Sequence, residues 1–355
     1  MRRLIYVRLL CAGLLVAAPI SPRAPSQSIM AQEAADQPVP SVRLVTPVAQ
    51  QCIDKGLRFL AANQNPEGSF GSGQFRDNIA VTALTGLAML SNGSTPGEGP
   101  YGENLDRALD FILRNVSPSG FIVVPQSTSH GKMYDHGFGT LFLAEAYGMT
   151  RRTDLREKLK KAVDLIVYSQ NSEGGWRYEP RREVNADISV TVCQIMALRA
   201  ARNAGIYVPR STVERCTEYV KRSQNLDGGF RYMLSSGPSA FPRSAAGVVA
   251  LYSAGIYDGN EIDRGLGYLM RSLPAGNQGR RGSHYYYGQY YAIQAMYQAQ
   301  GAHWQTWYPA IRDELIGLCR PDGSWTYSSI CPEYGAAMAC IILQMPNGYL
   351  PIFQR

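Results

Sequence analysis

From about residue 50 onward the chain alternates two kinds of helical segment, distinguished by where their hydrophobic positions fall. One kind is amphipathic and charged, as in Leu155 to Val163, where Lys and Arg stand between apolar residues at helical spacing. The other kind is apolar on nearly every face and rich in small residues, as at 79–84, 137–144, 188–197, 245–251, 291–296 and 335–342. A helix with one apolar stripe is peripheral, and a helix apolar all round is buried. Each charged helix is joined to the apolar helix after it by a short polar turn with glycine and then an aromatic residue. Gln170 to Trp176, with Gly174 and Gly175, is the clearest case. Glycine there supplies the positive φ with which a helix closes in a left-handed cap.

The unit recurs along the chain. Lys55-Gly56, Gln64, Gly68 and Phe70 form one copy, and Arg215-Cys216, Gln224, Gly229 and Phe230 form another. Weaker copies carry Arg107-Ala108 with Gly120-Phe121, Arg264-Gly265 with Gly282 and His284, and Asp322 to Trp325. The terminal aromatics or their equivalents, at 70, 121, 176, 230, 284 and 325, are spaced by 51, 55, 54, 54 and 41 residues, a repeat-protein period. Six outer–inner pairs predict an all-α fold, an α/α toroid (an α6/α6 barrel) of six helix-pair repeats, in preference to an open superhelix.

Lys/Arg, Gly/Ala, an aromatic–aliphatic pair, Gln and Gly-x-Trp/Phe together resemble the QW repeat of squalene–hopene cyclases and protein prenyltransferase β subunits. The resemblance spans about residues 50 to 345, with three close copies and three partial ones. It implies a barrel whose inner helices surround an apolar cavity. One fold hosts many chemistries, so function has to be argued from the site.

Residues 1–32 read as a signal peptide: Arg2, Arg3 and Arg8 precede the short apolar run from Leu9 to Ile20. Residues 33–48, rich in Gln, Ala and Pro, read as a linker, and residues 49–355 as a single toroid. An exported protein, periplasmic or secreted, is expected, with no membrane required by the mature domain. The first 32 residues hold four Arg and no acid, so the formal charge of +7 falls to +3 without them. With no basic run and no nucleic-acid motif, nucleic acid is not an expected partner. Beyond Cys11 there are six cysteines, of which Cys319 and Cys331 flank the last turn and are the pair expected to bridge. The terminal segment 346–355 is too apolar to be free and is expected to pack across the barrel.

In such a ring the start of every inner helix faces one rim, where positive helix ends favour carboxylates and anions. The polar residues at those starts are Asp77, Tyr134, Asp135, His136, Asn185, Asp187, His284, Glu333 and Tyr334. Each acid or amide there is either a helix cap or a cavity residue. The resemblance places Asp187, in Asn185-Ala-Asp187-Ile188, on the middle Asp of the cyclases' Asp-x-Asp-Asp-Thr-Ala motif, which implies a proton donor. The flanking acids are absent, and so is the cyclases' second barrel. Prenyltransferase β subunits hold zinc through an Asp-x-Cys step that this chain lacks. Asp135, His136, His284 and Cys331 are acceptable zinc donors scattered over three repeats, so no metal or other cofactor is expected and zinc is the only candidate.

Tyr287, Tyr290 and Tyr291 belong to a tyrosine-rich repeat whose rings either line the cavity or fill it. No Gly-x-Ser-x-Gly, His-Glu-x-x-His, Walker loop or dinucleotide fingerprint occurs. Three classes compete. The first is a protein binding an apolar isoprenoid-like molecule or an extended peptide in the central cavity, with terpenoid cyclase-type chemistry on Asp187 if it is an enzyme. The others are a non-catalytic scaffold for a partner protein and a carbohydrate-active toroid enzyme.

Overall fold

The computed structural model describes residues 44–354 apart from 236, 275–281, 283 and 327. The expected signal peptide and most of the expected linker lie outside the described residues. Among the described residues twelve α-helices run in order: α1 (Pro47–Ala62), α2 (Ile79–Leu90), α3 (Gly102–Arg114), α4 (Lys132–Tyr147), α5 (Leu155–Ser169), α6 (Ile188–Asn203), α7 (Arg210–Arg222), α8 (Phe241–Ser253), α9 (Asn260–Met270), α10 (Tyr285–Ala299), α11 (Gly301–Leu318) and α12 (Pro332–Leu343). The described residues form no strand, only isolated bridges. The ring already includes residues 44–48: Thr46 caps α1, and Arg312 Nη1 donates to the Leu44 carbonyl at 3.0 Å.

The even-numbered helices are the apolar ones. Nearly every residue of α2, α6 and α12 is buried, whereas α7 buries only Thr212, Cys216, Tyr219 and Val220. Each even helix packs on the next, and α12 packs back on α2 and on α1, which closes the ring. The fold is the expected α/α toroid.

The turns explain the closure. The Gln that ends an outer helix donates twice: Gln64 to Gly68 O and Asn104 O, Gln170 to Gly174 O and Thr212 O, Gln224 to Gly228 O and Glu261 O, at 2.7–3.0 Å. One bond therefore fixes its own turn and the other grips the next outer helix. The turn glycines sit at φ +86° to +98°, pressed against that helix. A Cβ on Gly68, Gly120, Gly174, Gly228 or Gly323 would lie 2.2–2.3 Å from the backbone carbonyl of Arg107, Lys161, Arg215, Arg264 or Lys55 respectively. These five basic residues are the Lys/Arg of the repeat, and the last contact runs from the end of the chain back to its start. Gly282, in the degenerate fifth turn, has no such neighbour within 4 Å.

After each glycine the aromatic is pinned from the inner helix. Phe70 N donates to Thr82 Oγ1 (2.9 Å), Trp176 N to Thr191 Oγ1 (3.1 Å) and Phe230 N to Ser244 Oγ (2.8 Å). Trp176 and Trp325 lie flat within the core and donate Nε1–H to the Ile166 and Leu315 carbonyls.

The chain end shuts one end of the barrel, as its apolarity predicts. Met345, Leu350, Ile352 and Phe353 are buried. Asn347 donates to Ser91 O, Glu145 accepts from Ile352 N, Arg199 Nη2 donates to Gln354 O, and Gln298 donates to Phe353 O. These partners stand at or near the C-terminal ends of α2, α4, α6 and α10, so the inner helices all finish on one floor.

All six described cysteines are free thiols. Cys319 faces Cys52 across the ring closure, whereas Cys331 lies beside Glu333 at the start of α12. The expected Cys319–Cys331 bridge is therefore not the pairing this fold sets up.

Candidate functional site

At the opposite rim, where inner helices begin, a cavity of about 360 Å³ opens among α2, α4, α10 and α12. Its walls follow helical register: Ala80, Val81 and Leu84 from α2, Tyr134, Asp135 and Phe138 from α4, His284 and Tyr287 from the start of α10, and Tyr334 and Met338 from α12. Loops add Phe75, Ser129, His130, Ser329 and Ile330, and Asn78 caps α2 at the edge. Leu84, Phe138 and Met338 are buried, while His130 and His284 are exposed. The wall is thus mostly apolar.

Asp135 supplies the carboxyl of the described wall. It is 1% exposed, and its Oδ1 accepts from Ala80 N at 3.3 Å, so it ties α4 to the first turn of α2. Burial lifts its carboxyl to about 6, against the opposing pull of Ser129, the Ala80 N–H, Lys132 and Asn78. Near neutrality this group can hold or release a proton at the cavity surface.

Of the residues named from sequence, Tyr134, Asp135, His284, Tyr287 and Tyr334 line the cavity, and the others do not. Asp187 is 0% exposed and caps α6, its Oδ1 accepting from Val190 N at 2.8 Å and its Oδ2 from Tyr232 Oη at 3.4 Å. Burial lifts it to about 6 as well. Asn185 is exposed, and Asp77 takes a left-handed φ of +57° and accepts from Ser69 Oγ outside the cavity. Glu333 accepts from Ser72 Oγ at 2.9 Å. Tyr290 and Tyr291 are fully buried and fill the barrel interior, with Tyr291 Oη 3.2 Å from Cys193 Sγ.

His136 occupies the place that Thr82, Thr191 and Ser244 hold in other repeats. Its Nδ1 accepts from Ile122 N at 3.2 Å, so Nε2 carries the proton and donates to Ala162 O at 3.1 Å. With both nitrogens engaged and burial lowering its pKa to about 4, it is a neutral structural group. Among the described residues no three His, Cys, Asp or Glu side chains gather as a metal site. Asp135, His136, His284 and Cys331 therefore do not converge as a zinc set.

The loop residues Phe75, Ser129 and His130 went unread because no periodicity marks them. Phe138 and Met338 also went unread, although each lies four residues after a rim tyrosine, Tyr134 or Tyr334, on the same helix face.

Solved structures share this architecture. The chain is similar to the type II terpene cyclase MstE from Scytonema, a variant of which was solved with its product merosterolic acid A (TM-score 0.60, 15% identity, 85% of this chain and 98% of that one). It is also similar to the cellobiose 2-epimerases of Spirochaeta thermophila (TM-score 0.62, 12% identity, 87% and 97% covered) and Bacillus thermoamylovorans (TM-score 0.59, 12% identity, 84% and 98% covered). The likeness is one of fold. No family model and no curated protein matches the sequence.

Proposed function

We propose that this toroid is exported and binds a small, largely apolar molecule of the isoprenoid class in the rim cavity, with Asp135 as the acid if the ligand is transformed. The observation that carries the reading is a buried carboxyl, raised to about 6, on the wall of an otherwise apolar chamber. Protonation of an alkene requires a carboxylic acid in its protonated form, and desolvation moves Asp135 toward that form, the protonated share growing as pH falls toward 6. The similar MstE structure with geranylgeranyl dihydroxybenzoate as substrate supports the ligand class. Asp187, the acid suggested by the motif, instead completes a helix cap.

The test is calorimetric titration of the mature chain with geranylgeraniol and, separately, with cellobiose. Binding of the former that is lost in Met338→Trp, where the indole fills the chamber, supports the reading. Binding of cellobiose alone overturns it. Where conversion is seen, Asp135→Asn abolishes it and keeps binding, while Asp187→Asn, which still caps α6, leaves both.

A further inference from the structure

The ring closes where α1 meets α11 and α12, and in the form described above no covalent bond holds that seam. Three thiols stand at it, Cys340 on the inner helix α12 and two on the outer helices. Cys52 lies on α1 and is 7% exposed, and Cys319 ends α11 and is partly exposed. The two side chains interact directly with each other.

Neighbouring contacts fix the same juxtaposition independently. A Cβ on Gly323 would lie 2.3 Å from the Lys55 carbonyl, one helical turn after Cys52. The antiparallel bridge between Cys319 and Trp325 holds Cys319 to the turn that carries Gly323. Cys340, on the inner helix α12, has its Sγ 4.0 Å from Ile53 O and also faces both thiols, but the direct side-chain contact is between Cys319 and Cys52. Cys331 is engaged with Glu333 and the Tyr334 backbone at the rim.

We propose that Cys52 and Cys319 are oxidised to a disulfide that staples the first outer helix to the last. Each thiol gives up its hydrogen and the S–S bond forms between the two sulfurs. The two electrons and two protons reduce a disulfide oxidant, such as oxidised glutathione or an oxidoreductase disulfide, to two thiols. An oxidising compartment is the setting in which such bonds persist, so in the cell the inference rests on the export proposed above. Burial pushes the Cys319 thiol up to about 12, and exchange needs a thiolate. The bond therefore forms during folding, before α1 docks, and not by slow attack on the finished ring. A link between positions so distant in sequence restricts the unfolded chain strongly.

The test uses full mature chain refolded from denaturant in a reduced/oxidised glutathione mixture, then treated with iodoacetamide and digested without reductant. The expected result is one linked peptide pair containing Cys52 and Cys319, with the other four cysteines alkylated. Dithiothreitol should then lower the Tm of wild type and Cys331→Ser alike and leave that of Cys319→Ser unmoved. Alkylation of both Cys52 and Cys319, or a link from Cys319 to Cys331 or Cys340, overturns the proposal. Because the refolding mixture supplies the oxidant, this result is independent of whether the chain is exported. The same digest on protein trapped in its native host separates the two: linked in the mixture but alkylated in the host, the pair stands and the export reading falls.

Discussion

Asp135 and Asp187 are both buried carboxyls lifted to about 6, and they differ in what they touch. Asp187 caps its own helix and accepts from Tyr232 without lining the cavity, whereas Asp135 reaches across to α2 and faces the cavity. Sequence spacing put both at the rim but could not separate them, because a cap and a wall residue look alike without the neighbouring helix. His136 was misleading for a related reason: its partners come from Ile122 and Ala162, in two different repeats. Its folded pKa of about 4 lies below the ordinary 6.5. The neutral ring therefore contributes stability that is complete above pH 6.5 and lost as pH falls to about 4. Denaturant titrations across that window should show His136→Gln less stable than wild type at about pH 7.5 and less sensitive to acid. A parallel acid dependence in the two proteins would contradict this role.

At the scale of the element, the turn was the most legible part of the chain. Gln, glycine and aromatic could be read because three residues at fixed offsets do one job in the three close copies. What they grip was not legible, since the receiving carbonyl belongs to the next outer helix, 40 residues on for Gln64 and Asn104. The sixth outer helix was hidden as well: α11 contains Pro309 and lacks the basic–small step. Glycines at positive φ are not equivalent here. Gly174→Ala meets both φ +98° and the Arg215 carbonyl at 2.2 Å, whereas Gly205, at φ +79°, has nothing within 4 Å. Gly205→Ala should cost about 1–2 kcal/mol from backbone conformation alone. Gly174→Ala should cost about 4 kcal/mol or more, in the range that marks a specific structural failure. Urea unfolding of the two variants checks the difference, and equal losses would mean that the glycine–carbonyl contact does not matter.

At the scale of the whole molecule, closure of the ring followed from the number of repeats and from the apolarity of alternate helices. A cavity was expected, but its full lining was not legible, because Phe75, Ser129, His130, Ser329 and Ile330 come from loops. The floor was foreseen from the composition of the chain's last residues, and its partners were not: Arg199 and Glu145 lie near the ends of two inner helices far apart in sequence. Removing residues 345–355 exposes the sites of Met345, Leu350, Ile352 and Phe353, each worth about 1.5–3 kcal/mol of burial. Calorimetry should show the truncated chain melting at least several degrees lower, and an unchanged melting curve would mean that the tail does not seal the barrel.

That sealed floor also sets the traffic of anything the chamber holds. Among the described residues the chamber opens at the rim, and buried Tyr290 and Tyr291 with the tail beyond them fill the far side, so an incoming molecule does not displace the resident one from behind. Exchange must proceed by complete departure followed by re-entry. The release rate of a labelled occupant should therefore be indifferent to the concentration of unlabelled competitor in a stopped-flow chase.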